Sequence, residues 1–278
     1  MLTRPVFPPS PRRSSIRVLL ATLGFAVGGA PSAFAATDTA PELVLLGDRR
    51  VNFNRYSDGN YTMASLVRDF GNLSEVAPEE TARHVIEKQA LKLTLKAGAL
   101  TEGGFIGVTK LKPSDECTFE FRVRFAPDFE WTKGGKLHGL SGGKGYAGGQ
   151  SAADGKGWTV RVMWGAKGRL YPYVYHPDMP GKYGDTFGST LAYAKPGQWY
   201  SIKYYIKVNT GEQRDGVLRI DIDGKTAFEK TDLRFATVDG YHAVDQLRWS
   251  CFFGGSGDDW RPTRDNVIHF DDFRLKLH

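Results

Sequence analysis

The chain has 278 residues, of which 41% are hydrophobic and 24% are charged; it contains two cysteines and has a formal net charge of +6. The apolar fraction excludes a disordered chain, and two cysteines are too few for a disulfide scaffold or a four-thiolate zinc site. The 33 glycines follow no three-residue period, which excludes a collagen-like protein.

The first 35 residues have the three-part pattern of an export signal. Arginines between residues 12 and 17 precede an apolar core over residues 18–27, and the small-residue motif Ala-Phe-Ala follows at residues 33–35. The apolar core is shorter than the roughly 20 residues that cross a bilayer as a helix. We therefore predict a cleaved signal peptide over residues 1–35 and a secreted or periplasmic protein with no membrane contact after cleavage.

The positive net charge comes largely from this segment. It contains four of the 37 basic residues and none of the 31 acidic residues, so the rest of the chain is close to neutral. A nearly neutral chain gives no support for nucleic-acid binding through bulk charge. We expect a monomer that does not bind nucleic acid.

Apolar and polar residues alternate over many short segments after the signal, which predicts antiparallel β-strands. Asp223-Gly224 predicts a tight hairpin between two of them. The helical signal is confined to one short segment, residues 78–88. In chain order, the predicted strands cover residues 91–95, 117–125, 158–164, 169–175, 200–208, 218–223, 247–253 and 267–277.

Many strands with almost no helix favour an all-β protein. We predict a single β-jelly roll domain over residues 36–278, a sandwich of two antiparallel sheets with one concave face open as a substrate cleft. Cys117 and Cys251 both fall at inward-facing strand positions. They form either a disulfide or two buried thiols, and the sequence leaves both possibilities open.

One predicted hairpin places an arginine beside several tyrosines. Thr159 and Arg161 lie on the polar face of residues 158–164, and alternate positions of residues 169–175 carry Tyr171, Tyr173 and Tyr175. Tyrosine is common in strands for packing reasons alone. Three tyrosines beside an arginine nevertheless suit an acidic sugar, because the rings pack on sugar faces and the guanidinium binds a carboxylate. We therefore expect an acidic sugar as the partner.

The segment Lys133–Gly143 contains too many glycines for a regular strand and lacks the order of a phosphate-binding loop. Glycine-rich backbone permits close approach of a ligand. We predict an ordered loop that holds Lys136 or His138 near the substrate.

Several motifs together, in this order, resemble the family 14 polysaccharide lyases, which include alginate lyases and are similar in fold to glucuronan lyases. The resemblance implies a β-jelly roll with catalysis in a cleft by Lys136, Arg161, Tyr173 and Tyr175. Thr159 stands where the family has a serine. The motifs are Gly135–Leu140, Thr159–Trp164, Tyr173–Tyr175, Phe252–Ser256, Asp259-Trp260 and Phe270–Phe273.

Such lyases break a uronic-acid polymer by β-elimination, in which the C5 proton leaves and the C4–O bond breaks. Arg161, supported by Thr159, is the candidate for offsetting the charge that builds on the carboxylate. A base and an acid are also needed, and Tyr173 and Tyr175 are the candidates, with their pKa values lowered from about 10 by nearby cations. Lys136 is a second neutralising group or the base itself. His138 is a reserve base, and His138 and Tyr171 are expected to contact substrate.

Two other functions compete with a lyase. A non-catalytic carbohydrate-binding sandwich would need the aromatic and arginine contacts but no base. A glycoside hydrolase would need two carboxylates, and Asp221 and Asp223 lie about 7 Å apart along one strand face, within the range for such pairs. We expect no cofactor and no catalytic metal, although structural calcium in the loop 255–260 or at Asp271-Asp272 is an alternative.

Overall fold

Sixteen β-strands and one α-helix make up the regular structure of the parts of the chain that the computed structural model describes, residues 46–74 and 83–278. The predicted signal peptide lies outside the described residues, as do residues 75–82. The elements are β1 Arg49–Val51, β2 Gly59–Asn60, α1 Met63–Phe70, β3 Leu73–Ser74, β4 His84–Glu87, β5 Ala90–Leu95, β6 Phe105–Ser114, β7 Glu116–Phe125, β8 Gly134–Gly143, β9 Gly157–Gly165, β10 Arg169–Tyr175, β11 Ala192–Tyr193, β12 Trp199–Lys207, β13 Gly216–Ile222, β14 Lys225–Leu233, β15 Val244–Phe253 and β16 Asn266–Leu277.

The strands form two antiparallel sheets, which confirms the predicted all-β jelly-roll sandwich. The nine-stranded sheet has the order β14-β13-β12-β7-β16-β5-β4-β2, and β1 pairs with β16 outside this path. The seven-stranded sheet has the order β11-β10-β9-β8-β15-β6-β3. The predicted hairpins are also present, one between β9 and β10 and one across Asp223-Gly224 between β13 and β14.

The hydrophobic core lies between the two sheets. Strand β7 shows why the sequence folds this way, since every second residue from Cys117 to Phe125 is buried and the residues between them are not. Aromatic rings join the sheets, as where Trp249 of β15 and Phe273 of β16 lie 5.7 Å apart between ring centroids. Each large side chain buried here contributes about 1.5–3 kcal/mol to folding.

The two cysteines are free thiols within this core. Cys117 belongs to the nine-stranded sheet and Cys251 to the seven-stranded sheet, and both are buried. Burial raises the pKa of both thiols, so they remain protonated packing groups. Of the two possibilities left open by the sequence, the structure therefore has the buried thiols.

Two local predictions are wrong. Residues 84–87 form strand β4, paired with β5, where a helix was expected; the helix lies instead at Met63–Phe70, where the Thr62 hydroxyl accepts a hydrogen bond from the Ser65 amide as an N-cap. The glycine-rich segment is strand β8 of ten residues, where a loop was expected.

Candidate active site

The outward face of the seven-stranded sheet, here called the cleft, brings most of the predicted site residues together. Antiparallel register aligns residues of β10, β9, β8 and β15 in rows, and neighbours in a row have Cβ atoms about 5 Å apart. The rows are Tyr171-Met163-Lys136-Phe252, Tyr173-Arg161-Gly139-Arg248 and Tyr175-Thr159-Ser141-Gln246. Lys136, Arg161 and Tyr173 thus lie on one surface.

Two glycines explain how β8 can be both glycine-rich and a strand. A Cβ added at Gly139 would lie 2.1 Å from the Val160 carbonyl oxygen and 2.8 Å from Cγ of Arg161. A Cβ at Gly135 would lie 2.1 Å from the Trp164 ring. These glycines therefore leave space for side chains of β9, Arg161 on the cleft face and Trp164 on the core face.

Arg161 is a buried cation with unused hydrogen-bond donors. Arg161 is 3% exposed, and its Nη1 donates a hydrogen bond to Oγ of Ser250 at 3.4 Å. Nε and Nη2 are buried, and neither has a hydrogen-bond partner among the residues that the structure describes. Burial, and then the charge of Arg248, lower the pKa of Arg161 to about 10. A buried guanidinium with two adjacent free donors is suited to bind a carboxylate.

Lys136 brings a second positive charge to the same surface. Its Nζ lies 5.6 Å from the ring centroid of Tyr173 and 5.0 Å from that of Phe252. Within the described residues, neither Lys136 nor Arg161 forms an ion pair with a carboxylate. Burial, and then the charge of Arg161, lower the pKa of Lys136 to about 8, so a neutral amine is accessible near neutral pH.

The two central tyrosines differ in their exposure. Their rings lie 5.7 Å apart between centroids in an edge-on arrangement. Tyr175 is fully buried, and its hydroxyl accepts a hydrogen bond from the Gly149 amide at 2.9 Å, whereas Tyr173 is half-buried. Burial raises the pKa of Tyr173 above its usual value and outweighs the opposing effect of Arg161. The expected lowering is therefore wrong for Tyr173.

A β-bulge in β8 lies between Lys136 and Gly139. The pairing of β8 with β9 shifts between Lys136 and Gly139, so one additional residue is accommodated there. Tyr204, from the opposite sheet, satisfies the groups that the bulge leaves unpaired. Its hydroxyl donates to the His138 carbonyl at 2.8 Å and accepts from the Val162 amide at 2.9 Å.

His138 does not reach the cleft, contrary to the sequence prediction. The bulge turns its side chain into the core, where it is 2% exposed and lies against aromatic rings including Phe270, 4.4 Å away between centroids. Its Nδ1 accepts a hydrogen bond from the Ser250 amide at 3.2 Å. Burial lowers the pKa of His138 to about 3. It is a neutral core residue beneath Ser250 and is neither a base nor a substrate contact.

Thr159 and Tyr171, the two remaining predicted substrate contacts, differ in their accessibility. Thr159 is fully buried, and its hydroxyl donates to the Tyr146 carbonyl at 2.9 Å, so this hydroxyl is not presented to a ligand. Tyr171 is half-buried at the other end of the surface, with the guanidinium carbon of Arg169 4.9 Å from its ring centroid. Of these two, only Tyr171 can contact a polymer in the cleft.

Ser250 and Arg248 also belong to this surface, although neither was predicted as a site residue. Both lie on the outward face of β15, and they contribute a hydrogen-bond acceptor and a further positive charge beside Arg161. The signal was present, since both residues alternate with the buried residues Leu247, Trp249 and Cys251. This alternation did not identify them as site residues, because the sequence does not show that β15 pairs with β8.

The alternatives raised by the sequence lie elsewhere. Asp221 is on the nine-stranded sheet, where it pairs with Lys203 at 2.8 Å, and Asp223 accepts the Ser201 amide in the adjacent turn. In the described part of the chain, no three or more His, Cys, Asp or Glu side chains are grouped so as to hold a metal ion. No helix among the described residues is long and apolar enough to cross a membrane.

A β-sandwich whose open sheet face carries clustered cations and tyrosines defines a protein of the carbohydrate-binding class, suited to acidic sugars. Residues 86–273 match the polysaccharide lyase 14 family. The chain belongs to this family, and the predicted resemblance is confirmed. The protein is therefore a member of the polysaccharide lyases, the carbon–oxygen lyases that act on polysaccharides.

Solved structures agree with this assignment. A double mutant of alginate lyase Aly36B in complex with an alginate tetrasaccharide is 33% identical, with 84% of this chain and 98% of that chain covered and a TM-score of 0.80. The alginate lyase from Aplysia kurodai is 19% identical, with 82% and 98% covered and a TM-score of 0.70, and supports the fold.

One curated relative is much longer. Exolysin from Paramecium bursaria Chlorella virus 1 is 28% identical over 51% of this chain and 26% of that protein. The match therefore spans about a quarter of the length of Exolysin.

Proposed function

We propose that this protein cleaves a uronic-acid polymer of the alginate type by β-elimination on the outward face of the seven-stranded sheet. The observation that carries the proposal is Arg161, whose Nε and Nη2 are buried without a hydrogen-bond partner in the described part of the chain. An unpaired buried cation is costly, and a substrate carboxylate would supply the missing acceptors. A polymer built of uronic acids presents such a carboxylate on every unit.

The relatives support the choice of polymer. Aly36B variants that lack a lysine and a tyrosine, or a lysine and a methionine, have been solved with an alginate tetrasaccharide and trisaccharide. This chain has the same three residue types in one row, Tyr171, Met163 and Lys136. Alginate is therefore the first substrate to test, and glucuronan the second.

Lys136 is the proposed base. A base for C5 must be neutral before it takes the proton, and a pKa of about 8 makes the neutral amine available at mildly alkaline pH. Arg161 would hold the carboxylate and offset the charge that develops on it as the C5–H bond breaks. The electron pair of that bond forms the C4–C5 double bond while the C4–O bond breaks.

Tyr173 is the proposed acid. Its raised pKa keeps the phenol protonated, so it can donate a proton to the oxygen that leaves C4. Its ring lies 5.6 Å from Nζ of Lys136, within reach of the same sugar. Tyr175 is buried behind it and is assigned to positioning, because its hydroxyl already accepts from Gly149.

We further propose that the protein acts outside the cytoplasm. The N-terminal pattern over residues 1–35 supports this, and large anionic polymers are encountered there. N-terminal sequencing of the protein recovered from the culture medium or periplasm tests the proposal. A mature chain that begins shortly after Ala35 is expected; an intact Met1 terminus would contradict it.

The activity is tested by following the ultraviolet absorbance of the unsaturated product with alginate, polymannuronate, polyguluronate and glucuronan. We expect absorbance to rise with at least one polymer and to stay flat for Tyr173→Phe. Tyr205→Phe is the control, since Tyr205 lies on the outward face of the nine-stranded sheet, away from the proposed site. Chain shortening without absorbance would indicate a hydrolase, and binding without chain shortening would indicate a non-catalytic module.

A further inference from the structure

A second cationic surface lies on the opposite side of the sandwich from the cleft. We propose that this surface, the arginine groove, binds the same acidic polysaccharide at a distance from the catalytic residues. The proposal rests on the proposed function for the identity of the polymer. The groove is formed by Arg49, Arg50, Arg55, Arg68, Arg274 and Lys276.

The groove consists of two adjoining cavities of about 480 and 630 Å³ that share Arg49 and Arg50. The first crosses β1, β16 and β7 on the outward face of the nine-stranded sheet. The second continues past β1 toward helix α1. Strand pairing places Arg50 directly opposite Arg274 on adjacent strands, so both side chains leave the same face of the sheet. The two cavities together form an elongated channel, which suits a polymer chain and not a single small ion.

The charge of the groove is not balanced from within. Its lining includes three carboxylates, of which Asp69 already accepts from Arg55 at 2.6 Å and from Tyr61 at 2.8 Å. Glu120 accepts from Ser201 at 2.7 Å and also pairs with Arg274 at 3.9 Å. Within the described residues, Arg49 and Arg50 form no ion pair. Several cations are therefore available for an external polyanion.

An acidic polysaccharide matches this surface better than other polyanions do. The groove is open and polar, and its several guanidinium groups suit carboxylates that repeat along a chain. Beyond the N-terminal segment the molecule is close to neutral, which argues against general affinity for nucleic acid. Because the cleft and the groove are on opposite sheets, a polymer held in the groove leaves the cleft open and raises the local concentration of substrate.

The test measures alginate binding in an Arg161→Ala background, where cleavage and cleft binding are both impaired. The variant Arg50→Glu/Arg274→Glu is compared with Lys207→Glu/Lys225→Glu, which makes the same charge change at exposed positions of the same sheet. We expect the groove variant to bind immobilised alginate about fivefold or more weakly, with the control close to the parent. Arg50→Gln/Arg274→Gln serves if the charge reversal prevents folding, as judged by circular dichroism.

A second measurement separates this proposal from the proposed function. In the otherwise wild-type chain, the groove variant should retain kcat/KM on a tetrauronate and lose it on long polymer. Equal loss of binding in the groove and control variants, or none in either, would overturn the proposal. Equal competition by a single-stranded oligonucleotide would overturn the choice of ligand. If the wild-type protein forms no unsaturated product from any polymer, the proposed function fails. The binding measurement still shows whether the arginine groove holds the polysaccharide.

Discussion

Arg161 lies directly against Gly139, with its Cγ 2.8 Å from the position that a Cβ of residue 139 would occupy. Strand β8 separates β9, which carries Arg161, from β15, which carries Ser250. Because Gly139 has no side chain, the guanidinium can cross β8 and reach the Ser250 hydroxyl. A glycine that contributes no functional group therefore fixes the position of the charge in the cleft.

Gly139→Ala should displace Arg161 and reduce kcat/KM strongly. The added methyl would overlap the Val160 carbonyl oxygen as well as Arg161, and such overpacking costs about 1–3 kcal/mol of folding free energy. Gly181→Ala is the control, because nothing lies within 4 Å of a Cβ there. Chemical denaturation and product absorbance check both variants, and full activity in Gly139→Ala would show that Arg161 does not depend on this space.

Arg161→Leu should abolish turnover and leave the protein equally or more stable. Replacing a buried charge whose single side-chain hydrogen bond goes to Ser250 by an apolar side chain removes a desolvation penalty, and gains of about 1–4 kcal/mol occur when buried ion pairs are replaced in this way. Differential scanning calorimetry measures the change. A clear loss of stability would mean that the guanidinium has stabilising partners in the free protein.

The kcat/KM profile should rise with pH around a midpoint of about 8, the pKa of Lys136. The sign follows from the role, since a base acts as the neutral amine and its fraction increases above the pKa. Lys136→Arg should lose this limb and about a hundredfold or more in rate, because a guanidinium stays protonated. Lys133→Arg is the exposed control, and a profile that falls around this pH would instead assign Lys136 to charge neutralisation.

Tyr204→Phe should destabilise the protein by about 1–3 kcal/mol, because the His138 carbonyl and the Val162 amide would lose their buried partner. Loss of the bulge geometry should also lower activity, because the bulge lies beside Lys136. Tyr204 itself lies in the core and does not contact the cleft. Tyr193→Phe is the matched control at an exposed hydroxyl. Equal unfolding free energies for the two variants would contradict this role.

Removal of divalent cations should change neither the rate nor the melting temperature. The proposed chemistry uses Arg161 and Lys136 for charge, and Asp272, one candidate for calcium binding, pairs with Arg122 at 3.4 Å. Activity and thermal unfolding after dialysis against a chelator test this expectation. A fall in melting temperature that calcium reverses would establish a structural ion.

Alternation in the sequence was sufficient to predict the sandwich and the facing of Arg161, Tyr171 and Tyr173. Residues of one strand share a face whatever their tertiary context, and the short β9–β10 connection fixes their pairing. The glycine-rich segment indicated Lys136 or His138 without choosing between them, and the family resemblance gave Lys136 its catalytic role.

What could not be predicted depends on neighbours distant in sequence. His138 was expected in the cleft but lies in the core, because a bulge in β8 turns it inward. That bulge depends on pairing with β9 and on Tyr204 of the other sheet, neither of which the local sequence shows. Strand β8 was taken for a loop because the need for glycine comes from the side chains of β9 that lie over it. Burial likewise decides the pKa of Tyr173, and burial is set by packing and not by local sequence.

The claim that Arg161 receives a uronate carboxylate is tested most directly by a crystal structure of the Lys136→Ala variant with an alginate tetrasaccharide. We predict one carboxylate with its two oxygens about 2.7–2.9 Å from Nε and Nη2 of Arg161, beside the phenol of Tyr173. A tetrasaccharide bound on the seven-stranded sheet with both nitrogens still unpaired, or bound only elsewhere on the molecule, would contradict the account.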